Sequence, residues 1–261
     1  MTARQKMLHG FTLVEMIAVL AIMAILASVL APNIASELRR ARSDAEDATL
    51  ADIADLLEET VARTRAVPGP TGWADSIAKL SELPVSRIDS NEDNFPRVYV
   101  VDPSWAPAGT RPGATGWRQT PAAVWGLPGT QPSNCRILIL SGSQQNLTAA
   151  CAGMSAVQFG QVWNRSGGPA ACVESNTTRI GRANLTSSFV LATLSGSAAG
   201  AFAFDSALAQ RQVFAAGSRT FPVLKGTRIS LLDAAGTSIL ASVVVDKPFS
   251  ATWDGASWSA P

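Results

Sequence analysis

Apolar and polar positions divide the chain into stretches with different periods. From Met16 to Ser36 there are 21 consecutive residues without a charge, most of them Ala, Val, Ile, Leu or Met. About 20 such residues span a bilayer as an α-helix. Further on, Leu50, Ile53, Ala54, Leu57 and Val61 recur at helical spacing on one face. Asp44, Asp47, Asp52, Asp55 and Glu59 fall largely off that stripe. One helix from Phe11 to about Arg65 would be roughly 80 Å long, apolar all round at first and amphipathic afterwards. The amphipathic half suits packing on a globular head, with a two-chain coiled coil as the competing reading. Pro32 lies inside the helix, lacks an N–H, and is expected to kink or locally melt it. The breakers in Ala66-Val67-Pro68-Gly69-Pro70-Thr71-Gly72 end it.

The rest, residues 66–261, reads as a head rich in Gly, Pro and Ser. A short helix is predicted from Ala74 to about Leu83, and buried strands at Arg97–Val101 and Arg136–Leu140. Residues 102–134, rich in Pro, Gly and Trp, read as a long loop. Ala156–Trp163 has helical spacing, and Ser188–Leu194 fits helix or strand. Strands follow at 202–204, 219–224, 228–232, 238–245 and 249–253. The turns Asp233-Ala234-Ala235-Gly236 and Asp254-Gly255 imply antiparallel hairpins. The expected class is α+β, a long N-terminal helix packed on a C-terminal antiparallel sheet.

Glu15 interrupts the apolar pattern between Val14 and Met16. A carboxylate at membrane depth costs about 2.5–3.5 kcal/mol on insertion scales, so it either marks the interfacial start of the span or has a partner. Its neighbours decide between the two. A short leader with Arg4 and Lys6 precedes Gly10-Phe11-Thr12-Leu13-Val14-Glu15, and an apolar helix containing Pro32 follows. The arrangement closely resembles the class III signal of type IV pilins and type II secretion pseudopilins, and the chain reads as a large, minor-pilin-like member. The resemblance implies a leader at 1–10, cut by prepilin peptidase between Gly10 and Phe11, and methylation of the new N-terminus. It implies a pilin-like fold, with residues 11–35 as the membrane and filament-core half of the helix and 36–65 as its amphipathic half. It also implies that Glu15 of one subunit pairs with the Phe11 amine of the next. Other pilin or pseudopilin subunits and an inner-membrane assembly platform are the implied partners. Arg4 and Lys6 before the span and Arg39, Arg40 and Arg42 after it leave the charge rule for orientation undecided. The resemblance alone places the N-terminus in the cytoplasm and the head in the periplasm of a bacterial inner membrane.

Composition narrows the chemistry. The 261 residues are 47% hydrophobic and 16% charged, against about 25% charged in ordinary soluble domains. That excludes a disordered chain. A net charge of +1 gives no basic footprint for nucleic acid. Loss of the leader removes two of the 21 basic residues, leaving 19 against 20 acidic. His9 is the one histidine and lies in that leader, so triads and most catalytic zinc sites are not expected in the mature chain. Three cysteines permit one disulfide and one free thiol. Cys151 with Cys172 is favoured, because Cys135 opens an apolar strand and reads as a buried thiol; Cys135 with Cys151 is the rival pairing. Asp89-Ser90-Asn91-Glu92-Asp93 starts like a calcium loop, but Asn94 and Val100 stand where glycine and glutamate are due. Ser76-Ile77-Ala78-Lys79 matches S-x-x-K without its companion motifs. No enzyme activity, metal or cofactor is expected. Among seven tryptophans, Trp105, Trp117 and Trp125 lie in the long loop and are the candidates for an exposed binding surface.

The reading from sequence is a non-enzymatic filament subunit, a minor pilin or pseudopilin. The alternatives are a pilus-displayed adhesin using the Trp-rich loop, or a membrane-anchored periplasmic protein.

Overall fold

A computed structural model describes residues 12–143, 146–175 and 177–259. The chain divides into two compact units, residues 1–45 and 46–261. Helix α1 (Leu13–Thr64) contributes to both. Its assignment is continuous through position 32, so the local melting expected at Pro32 does not occur. One missing N–H interrupts a ladder that the flanking turns carry on. Arg65, at φ 54°, ends the helix in the left-handed region before the Pro/Gly run begins.

In chain order the second unit continues with β1 (Ala66–Val67), α2 (Trp73–Ser81), α3 (Val85–Asp89), β2 (Val98–Val101), β3 (Trp117–Arg118), α4 (Pro121–Trp125), β4 (Arg136–Gly142), α5 (Thr148–Cys151), α6 (Ala156–Trp163) and β5 (Thr178–Asn184). Then come β6 (Phe189–Gly196), β7 (Gly200–Phe204), β8 (Gln212–Phe214), β9 (Gly217–Leu224), β10 (Thr227–Leu232), β11 (Ile239–Val245), β12 (Phe249–Trp253) and β13 (Trp258–Ser259). Segment 188–194, open between helix and strand from sequence, is strand β6. Residues 102–134 are not one structureless loop, because β3 pairs with β1 and α4 folds inside the segment. Thr120 starts α4 by accepting a hydrogen bond from the Ala123 N–H, with Pro121 at the first position. Ser155 and Gln158 form a reciprocal capping box that starts α6.

Strands β2-β4-β5 form an antiparallel sheet covered on both faces. Tyr99, Val101, Ile137, Ile139 and Ala183 meet the stripe of α1. All five stripe residues, Leu50 to Val61, are buried, at about 1.5–3 kcal/mol for each large side chain. That face is fully used within the chain, which overturns the coiled-coil reading. Gly181 permits the close approach, since a Cβ there would lie 2.8 Å from the Leu50 carbonyl oxygen. On the other face Val98, Val100, Leu138 and Leu140 pack against Leu147, Phe159 and Val162. Coverage of both faces explains the unbroken apolar runs Val98–Val101 and Ile137–Leu140.

The C-terminal strands form two more sheets, β13-β12-β6-β9 and β11-β10-β7-β8. Val190, Ala192, Leu194, Phe221 and Val223 of the first pack against Phe202, Phe204, Ile229 and Leu231 of the second. The pairings are antiparallel except β12 with β6, which is parallel. Turns at Asp233–Gly236 and Asp254–Gly255 join β10 to β11 and β12 to β13 as antiparallel hairpins. Asp254 accepts hydrogen bonds from the N–H groups of Ser257 at 2.7 Å and Ala256 at 2.8 Å, which hold its carboxyl below the ordinary carboxylate range. A depressed carboxylate stabilises the fold above its unfolded-state value, and the contribution is lost as pH falls through the lowered value. Carboxyl-carbon NMR should therefore give Asp254 a midpoint below that of aspartate in an unfolded peptide.

Candidate functional site

The N-terminal segment carries the sequence signal. Gly10 and Phe11, the expected processing position, lie outside the described residues. From Thr12 the geometry is a reciprocal cap. Glu15 Oε2 accepts from the Thr12 N–H at 2.8 Å and from Thr12 Oγ1 at 2.9 Å, while the Glu15 N–H donates to Thr12 Oγ1 at 3.3 Å. Thr12 is thus the helix N-cap and Glu15 the third helical residue. The sequence reading gives Glu15 an intersubunit partner and does not include the local one, Thr12, although T-x-x-E is the signal that finds the pair. The exposed carboxylate also complements the positive end of the helix dipole.

Beyond the cap the apolar half of α1 is uncovered. Ile17, Leu20, Met23 and Ile25 are each more than half exposed. Among the described residues, this helix is long and apolar enough to cross a membrane. Exposed apolar surface on this scale marks a lipid or protein interface.

Of the three tryptophans expected at an exposed surface, Trp105 is buried and Trp117 and Trp125 are half-buried. Trp105 is only 3% exposed; its indole N–H donates to Thr110 Oγ1 at 2.9 Å, and its ring meets Phe189 edge-on. Trp117 is half-buried against Phe189. Trp125 is half-buried too, with ring centroids 5.5 Å from Phe202, 5.3 Å from Phe214 and 5.7 Å from Phe221. Arg219 lies over its ring at 5.3 Å. Trp105 belongs to the core beneath α1, Trp125 packs in part against the sandwich core, and Trp117 touches both.

Cys151 and Cys172 form a disulfide linking the α5 segment to the stretch before β5, and Cys135 is a buried free thiol. Burial chiefly pushes the Cys135 thiol up to about 12, so it is a poor nucleophile at neutral pH. The bridge closes a span of 21 residues. Cys151→Ser/Cys172→Ser should destabilise the head by about 3 kcal/mol, measured by denaturant unfolding against the oxidised parent.

Ser76 Oγ donates to the Gly72 carbonyl at 3.0 Å, an ordinary helix-surface bond. In the acidic turn, Asn91 Oδ1 accepts from the N–H groups of Asp93 and Phe95, and its amide donates to the Gly142 carbonyl. The turn is organised by Asn91 as a link to β4.

Compared with known protein families, residues 6–31 match the model of the prokaryotic N-terminal methylation motif. This is the type IV pilin and pseudopilin signal, and the long N-terminal helix fits it. Neither a curated protein nor a solved structure matches the chain significantly.

Proposed function

We propose that this chain, which bears the type IV pilin and pseudopilin signal, is a non-enzymatic minor subunit of a type IV pilus or a type II secretion filament. Prepilin peptidase cuts it after Gly10, and it assembles by packing its N-terminal helix against those of other subunits. Before assembly it is a single-pass inner-membrane protein with a cytoplasmic N-terminus and a periplasmic head. The observation that carries the reading is the match over residues 6–31. The uncovered apolar half of α1 supports it, as a surface for lipid first and for neighbouring helices later. Cleavage would leave 251 of the 261 residues, a large mature chain that favours a minor or tip position. The adhesin reading draws less support, since Trp105 is buried and Trp117 and Trp125 pack in part against the cores.

The test is intact mass and N-terminal sequencing of the membrane-extracted protein, with and without prepilin peptidase. The expected result is a methylated Phe11 terminus that depends on the peptidase. An intact Met1 would instead mean a plain signal anchor, and a start near Ser36 ordinary secretion.

A further inference from the structure

Strand β2 lies at the edge of the β2-β4-β5 sheet. Its register with β4 pairs Val98 with Leu140 and Val101 with Ile137. One residue further on, the Asp102 N–H donates to the Arg136 carbonyl. That bond sets the alternation: Val98 and Val100 bond to β4, while the N–H and C=O groups of Tyr99 and Val101 point away from it. Arg97, on the same outward side, is capped by the Asp89 carbonyl. The outward groups of Tyr99 and Val101 have no hydrogen-bond partner among the described residues. Both residues are nonetheless buried, at 5% and 7% exposure. Unpaired main-chain groups in such a place are costly unless water or a ligand meets them.

Those groups border a groove of about 510 Å³. Tyr99, Val100 and Val101 line it, together with Pro70, Pro112 and Met154. Proline carries no N–H, so these walls offer few donors to compete with the strand edge. Arg111, an exposed residue, also lines the groove and has no ion pair among the described residues.

We propose that this groove is a strand-addition site: the edge of β2 takes an extended, apolar segment of another protein, with a carboxylate at one end that meets Arg111. Four outward main-chain groups on two alternate residues are what an added strand pairs with. Apolar walls call for apolar side chains on both faces of the segment rather than strict alternation. The free guanidinium supplies charge complementarity. This chain's own undescribed residues do not suit the groove. Residues 144–145, 176 and 260–261 are too short, and residues 1–11 carry Arg4 and Lys6, which Arg111 repels. A second copy would bring strands already fixed in sheets. The inference does not depend on how the N-terminus is processed.

The test uses the full chain in detergent micelles and a positional library of acetylated pentapeptides with free C-terminal carboxylates. Apolar members should bind and slow hydrogen exchange at the Tyr99 and Val101 amides. Val101→Pro removes one outward donor while sparing the ladder to β4 and should weaken binding about tenfold. N-methylation of alternate amides in the peptide should do the same with the protein unaltered. Arg111→Ala, at an exposed position, should weaken free-acid peptides about fivefold and leave C-terminally amidated ones unchanged. The proposal is overturned if no library member binds, or if binding is indifferent to peptide N-methylation and to Arg111→Ala. Self-association broken by Arg111→Glu would also overturn it, by making a second copy the occupant.

Discussion

Arg97→Ala should destabilise the head by about 3–5 kcal/mol, the cost of breaking a buried charge pair from one side. Arg97 Nε and Nη2 donate to the two carboxylate oxygens of Glu46 at 2.8 and 2.9 Å. Its Nη1 donates to the carbonyls of Arg87, Ile88 and Ser90 at 2.8, 3.1 and 2.7 Å. The guanidinium side chain is 3% exposed and that of Glu46 15%. One side chain therefore fastens α1, the end of α3 and the start of β2. Alanine leaves Glu46 without its counter-charge and three carbonyls without a donor. Arg97→Lys should recover little, because an ammonium cannot make the bidentate pair and reach the carbonyls from one plane. Arg97→Met with Glu46→Leu should recover most of the loss, since it removes both charges together. Urea unfolding of the three variants, monitored by tryptophan fluorescence, checks the order. Equal losses for the double variant and Arg97→Ala would mean that the lost carbonyl bonds, rather than the charge pair, dominate.

Glu46 also shows where the sequence was silent. It follows Asp44 and precedes Asp47 in what reads as a solvated acidic stretch. Its partner lies 51 residues away, and no local pattern joins them. The same holds for Arg136 and Asp102, paired at 2.6 Å and 34 residues apart. By contrast the α1 stripe was legible residue by residue, because a 3.6-residue period is written locally. Strand β5 was missed because its Arg179 and Arg182 break the apolar run; they sit in the sheet with Asp47 and Glu174 as counter-charges. The parallel pairing of β6 with β12 joins residues nearly 60 apart, with nothing local to announce it. Trp105 was misplaced for a related reason. Loop composition shows that a ring is present but not whether the segment folds inward. The N-terminal methylation motif was legible because it is a linear stretch, and the family model matches it over residues 6–31.

Glu15 has two possible uses, and one pair of substitutions separates them. In the structure its carboxylate closes a cap with Thr12, a role that glutamine also performs. In the proposed filament its charge meets the Phe11 amine of a neighbouring subunit, which glutamine cannot do. Glu15→Gln should therefore be cut at Gly10 normally and keep the start of the helix, yet fail to enter filaments. A buried amine left alone costs about 3–5 kcal/mol, which at about 1.4 kcal/mol per tenfold lowers incorporation by roughly two to four orders of magnitude. Glu15→Leu loses cap and charge alike and should do no worse in incorporation. Thr12→Ala removes the cap's hydroxyl but keeps the charge, at about 1 kcal/mol, and should still be incorporated. Quantitative blotting of sheared filament fractions against membranes, with N-terminal sequencing for processing, reads all three. Normal incorporation of Glu15→Gln would reduce Glu15 to a helix cap and remove charge pairing from the assembly step. Loss in Thr12→Ala equal to that in Glu15→Gln would put the cap itself, and not the charge, at the centre of assembly.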